Sequence, residues 1–198
     1  LVIFLSLAFF SLTSILEENA INKVYNRQYN EYQNKLSEYN SDLSKYNSEY
    51  QRLYDNERNS IIDYEDSQGY ASFEISIDID CDYNNSVGNE WQYVTIINGE
   101  QVEDGDIINC PTNIDSEIYT ECTELDNIPD SSSYTCYYNI RGGLYLQVNI
   151  INVENRGRYA GNEASHTFYY YFNRYVNEHS IMSRISNKLP PKPIEPTE

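Results

Sequence analysis

The chain has 198 residues, enough for one ordinary domain with an appendage. Its net charge of -18 includes a stretch from Arg58 to Arg141 with 18 Asp and Glu between them and no Lys or Arg. Such a field repels nucleic acid phosphates and anionic lipid headgroups, which excludes both as partners, and it favours cations, basic partners and solubility. Tyrosine supplies 21 residues, so packing surfaces are built partly from rings that keep a hydroxyl wet or bonded.

In chain order, the first element is the apolar run LVIFLSLAFFSLTSIL, which meets Glu17 and Glu18. It fits the apolar core of a secretory signal peptide or, with the ~20 residues a full span needs, an uncleaved anchor. Either role, assigned to residues 1–20, places the rest of the chain outside the cell, secreted or held at its surface, with the membrane touched only through this segment.

Residues 21–68 follow a heptad. Tyr25, Tyr29, Tyr32, Leu36, Tyr39, Leu43, Tyr46, Tyr50, Leu53 and Glu57 alternate spacings of four and three, set among Asn, Ser, Gln and charged residues. This is a coiled-coil-like pattern, and it predicts a helix of roughly 65 Å at 1.5 Å per residue. Asn and Ser are mediocre helix formers, so the helix needs a partner for its tyrosine stripe. That partner is a second copy, another chain or the rest of this one.

After Gly69 the period changes to two. Phe73, Ile75, Ile77, Ile79 and Cys81 alternate with acidic and polar residues, a strand with one wet face. Trp91 to Ile97 alternates next, and Asn98-Gly99 marks a tight turn. Further alternating runs cover Ile114 to Cys122, Tyr134 to Ile140 up to Gly142-Gly143, Leu144 to Ile150, and His166 to Phe172. Seven or eight short strands over residues 69–178 describe an antiparallel β-sandwich. The fold class is therefore α+β in segments, with residues 179–198 as a polar, Pro-rich tail that is extended from Leu189 on.

The four cysteines, Cys81, Cys110, Cys122 and Cys136, read as two disulfides in an exported chain. Cys122 and Cys136 sit symmetrically about the Asn127–Asp130 turn, which favours Cys122–Cys136 and leaves Cys81–Cys110.

The stretches Ser86–Trp91 and Val153–Asn162 resemble uncharacterised secreted β-sandwich modules of Gram-positive bacterial surface proteins, over residues 70–176. The resemblance implies a surface module and brings no catalytic motif. The cysteines and the tyrosine-rich heptads depart from it.

No nucleophile, metalloprotease, phosphate-loop or dinucleotide motif occurs. His166 lies in register with Phe168 and reads as packed, while His179 lies in the polar tail. Asp78, Asp80 and Asp82 share one strand face, and Asp104 and Asp106 flank Gly105. These are candidate hard ligands for Ca²⁺, the one cofactor the sequence raises. Spaced outward Asp also protects exposed strands from aggregation. Tyr169, Tyr171 and Tyr175 point away from the core and are candidate binding residues. The expected function is a non-catalytic binding or adhesion protein that presents a β-sandwich on a helical stalk to an extracellular protein or glycan. A structural protein that forms homo-oligomers through the stalk is the alternative. A calcium-binding module and a secreted glycan hydrolase follow further behind.

Overall fold

The computed structural model describes residues 2–125, 129–141 and 145–197, with side chains from residue 16 onward. Helix α1 spans Val2–Gln68 and is followed by eight strands: β1 Tyr70–Asn84, β2 Trp91–Ile97, β3 Glu100–Val102, β4 Ile107–Pro111, β5 Ser116–Glu124, β6 Ser131–Tyr138, β7 Tyr145–Val153 and β8 Glu163–Arg174. The short helix α2, Glu178–Ile185, opens the segment expected to be a polar tail. Contacts divide the chain into two compact units: Leu1–Asn56 together with Met182–Glu198, and Glu57–Ile181.

In the first unit the heptad decides which residues are covered. Tyr32, Leu36, Tyr39, Leu43, Tyr46, Tyr50 and Leu53 are all half-buried, whereas nearly all residues between them are exposed. Tyr25 and Tyr29 stand outside this cover and stack on each other, ring centroids 6.3 Å apart. The C-terminal segment belongs to the same unit. The Tyr50 hydroxyl lies 3.5 Å from the Met182 sulfur, Ile185 is fully buried, and Leu189, Pro193 and Pro196 are half-buried. Among the described residues no helix is long and apolar enough to cross a membrane; the side chains of the apolar run up to residue 15, on which the signal or anchor expectation rests, lie outside them.

The second unit holds two antiparallel four-stranded sheets, ordered β4-β1-β8-β7 and β3-β2-β5-β6. Period-two alternation turns Phe73, Ile75, Val148, Ile150, Phe168 and Phe172 of the first sheet toward Ile97, Ile118 and Cys122 of the second, one buried cluster. The Tyr170 hydroxyl bridges the layers, 3.0 Å from Thr95 Oγ1 and 2.8 Å from Thr120 Oγ1. The Asn98-Gly99 turn forms as its sequence demands, both residues having positive φ. The end of α1 is fastened to β8 by Arg174, whose guanidinium donates to Glu65 and Asp66, each at 3.0 Å, and to the Ile62 carbonyl at 3.3 Å.

The disulfide expectation is overturned: all four cysteines are free. Register gives the reason. Cys122 pairs with Ser132 and Cys136 with Ile118, so the two cysteines sit four positions apart, about 13 Å of strand rise. A disulfide spans at most ~7 Å between Cα atoms. Cys110 pairs with Ala71, whereas Cys81 lies ten positions further along β1, about 33 Å away. Asn127 and Ile128 of the Asn127–Asp130 turn, the Gly142-Gly143 pair and Leu144 lie outside the described residues.

Candidate binding site

Strand alternation and pairing order together build the outer face of the β4-β1-β8-β7 sheet. Residues facing away from the core on β1, β8 and β7 line up in rows: Ser76, Tyr171 and Tyr145; then Asp78, Tyr169 and Gln147; then Asp80, Thr167 and Asn149. The first two rows gather three tyrosines beside Asp78, and the third adds Asp80. The Tyr145 ring stacks on Tyr169 at 6.0 Å and 21°, and leans on Tyr171 at 5.3 Å and 43°. The Tyr145 hydroxyl donates to Gln147 Oε1 at 3.1 Å, fixing the ring. Asp78, Ile79, Asp80, Tyr145, Tyr169 and Tyr171 line a shallow groove of about 440 Å³.

The electrostatics of the groove are one-sided. Partial burial raises the Tyr169 phenol above its ordinary value, and the neighbouring Asp80, Tyr145, Asp82 and Tyr171 push the same way. The ring stays a neutral donor. The side chains of Asp78 and Asp80 are exposed and hold no hydrogen bond or ion pair among the described residues. Asp82 is different. A bulge between Cys81 and Tyr83 re-aims it, and its Oδ2 accepts from Asn149 Nδ2 at 3.0 Å, Ser165 Oγ at 2.9 Å and Thr167 Oγ1 at 2.8 Å. It braces the floor beside the groove.

Of the residues singled out from sequence, Tyr169 and Tyr171 come together here with Asp78 and Asp80. Tyr175 follows the end of β8 and does not line the groove; its amide donates to the Ser72 carbonyl at 2.9 Å. Asp104 Oδ1 accepts from the Ile77 amide at 2.9 Å, which ties the β3–β4 turn to β1, and Asp106 Oδ2 accepts from the Glu103 amide at 2.8 Å within the turn. Among the described residues, no three His, Cys, Asp or Glu side chains are placed to hold a metal ion. Tyr145 and Gln147 were not singled out from sequence. The alternation of β7 gives their face, but only its pairing with β8 brings them to the tyrosines.

A second polar cluster lies in the core. Cys122 Sγ is 3.4 Å from His166 Nδ1, with the Trp91 ring 4.3 Å and the Tyr93 ring 5.6 Å from the imidazole. Burial pushes the Cys122 thiol up to about 12 and the Tyr93 phenol to about 12, and it lowers His166. The pair is a neutral thiol against a neutral imidazole, the opposite of an activated thiolate–imidazolium dyad. His166 is fully buried, and its Nε2 has no hydrogen-bond partner among the described residues. This matches a packed histidine.

Comparison of the chain with protein-family models, with curated proteins and with solved structures gives no match.

Proposed function

We propose that this is an exported, surface-associated binding protein without catalytic activity, in which the helical segment carries the two-sheet unit and the tyrosine–aspartate groove receives an extracellular partner. The observation that carries this reading is the convergence of Tyr145, Tyr169 and Tyr171 with the unpaired Asp78 and Asp80 on one exposed sheet face. Stacked rings held by a sheet offer rigid contact area at low entropy cost, and carboxylates at their border supply direction. The apolar run over residues 1–16, which fits a signal peptide or an anchor, supports the export part of this reading. The test uses the full chain and a Tyr169→Ala/Tyr171→Ala variant on peptide and oligosaccharide arrays. The wild type is expected to retain at least one ligand that the variant loses, with both melting at similar temperatures. An absence of tyrosine-dependent binding across both arrays would defeat the reading.

A structural role has its own support. Ile21, Val24, Tyr25 and Tyr29 are 67%, 47%, 64% and 51% exposed on one stretch of α1, an apolar patch of the kind that joins helices. Self-association through this patch is the second reading.

A further inference from the structure

The binding reading above leaves the ligand class open, and the strand bordering the groove narrows it. β4 covers β1 only from Tyr70 to Glu74. The β3–β4 turn takes up the next positions: the Ile75 amide donates to the Asp106 carbonyl at 2.9 Å, and the Ile77 amide to Asp104 Oδ1 at 2.9 Å. By strand alternation, Ile79 and Cys81 turn their amides and carbonyls to that same edge, and among the described residues no strand pairs with them there. The outward side chains of this open edge are Asp78 and Asp80, both exposed.

We propose that the open edge of β1 at Ile79–Cys81 accepts an extended basic peptide segment of a partner protein as an added strand, with arginines at alternate positions reaching Asp78, Asp80 and the tyrosine groove. This inference rests on the groove being a binding site.

Three arguments select this occupant. The first is spacing. Asp78 and Asp80 lie about 6.6 Å apart along the strand, the repeat at which an extended peptide presents alternate side chains. The second is charge. Between Arg58 and Arg141 the chain supplies no Lys or Arg of its own, and Arg174 of β8 is committed to Glu65 and Asp66. A second copy of this acidic edge is repelled, whereas a basic strand places opposite charges across the pair. The third is the groove. A guanidinium forks onto a carboxylate and stacks on an aromatic ring, and Tyr169 lies directly across β1 from the edge, in register with Asp78. Main-chain hydrogen bonds then provide affinity and the alternate arginines specificity.

The experiment titrates full-length protein against three fluorescein-labelled peptides of one composition: alternating Arg-Val, block Arg-then-Val, and the alternating peptide N-methylated at every second residue. The alternating peptide is expected to bind tightest, the N-methylated one to lose at least about tenfold, and rising salt to weaken all three. Asp78→Asn/Asp80→Asn and Tyr169→Ala are each expected to weaken the alternating peptide about tenfold, while Asp115→Asn, which removes charge elsewhere, leaves it within twofold. Melting curves confirm that the variants are folded. Equal binding of all three peptides, or equal loss in Asp115→Asn, overturns the proposal in favour of diffuse attraction. Tyrosine-dependent binding of a neutral oligosaccharide with no peptide binding overturns it while sparing the binding function. Loss of every tyrosine-dependent ligand overturns both.

Discussion

His166 shows how a single residue couples the core to pH. Its imidazole is enclosed by Trp91, Tyr93 and Cys122, and desolvation holds its folded-state value below the ordinary 6.5 despite the opposing pull of Asp82. The unfolded chain therefore binds the proton more readily. Stability is complete above about 6.5 and falls as pH drops through that value toward the depressed folded one. Glu121 and Asp130 lose their contributions only further down. Glu121 is held below its ordinary 4.5 by Tyr119, Thr123 and Ser131, and Asp130 below 3.8 by Asn155. Urea midpoints measured between pH 7.5 and 5 should fall for the wild type and stay nearly flat for His166→Gln. A parallel slope in both proteins would place the titration elsewhere. The histidine itself was legible in the sequence as a packed residue, from its register with Phe168. Its partner was not, because Cys122 belongs to the other sheet and no local pattern says which residues meet across a core.

At the scale of elements, the strands could be read from the sequence and their neighbours could not. The alternations at Phe73–Cys81, Trp91–Ile97 and His166–Phe172 mark β1, β2 and β8 because one face is apolar and the other wet. That β1 pairs with β8 and with β4, skipping β2 and β3, is a long-range choice with no short-range signal. The disulfide error has the same root. The β5–β6 pairing is centred two residues before the midpoint of Cys122 and Cys136, which slides the cysteines four positions apart. Tyr145 carries no signal of the groove in its own sequence, because β7 becomes part of it only by lying beside β8. The layers are held by more than apolar area, since Tyr170 carries a buried hydroxyl from one sheet to Thr95 and Thr120 of the other. Tyr170→Phe keeps the ring and leaves two threonine hydroxyls to pair only with each other across their register position. It should cost about 1–2 kcal/mol in urea unfolding with an unchanged slope. A neutral result would mean that the Thr95–Thr120 pair satisfies itself.

At the scale of the whole chain, the heptad and the C-terminal segment explain each other. The spacing of Tyr25 to Leu53 predicted a helix that needs cover, and it left open whether a copy, a partner or the chain itself supplies that cover. In the unit formed by Leu1–Asn56 and Met182–Glu198, the half-buried stripe begins at Tyr32, and the C-terminal segment contributes the buried Ile185 and the Met182 contact to Tyr50. The sequence could not show this, because a Pro-rich run reads as an extended tail whether or not it docks. Docking matters energetically, since a helix of Asn, Ser and Tyr is marginal without tertiary contacts. A chain ending at Ile181 loses all of the second segment. Its far-ultraviolet circular dichroism should show less helix per molecule at micromolar concentration, and a broad melt of the freed helix should appear below the sharper transition of the two-sheet unit. Sedimentation velocity distinguishes the outcomes. A monomer with reduced helicity is expected. A truncated chain that keeps its full helicity by forming dimers would show that the tyrosine stripe accepts a second copy, and it would raise the assembly reading above the one proposed here. A monomer with undiminished helicity would mean that the C-terminal segment does not hold the helix at all.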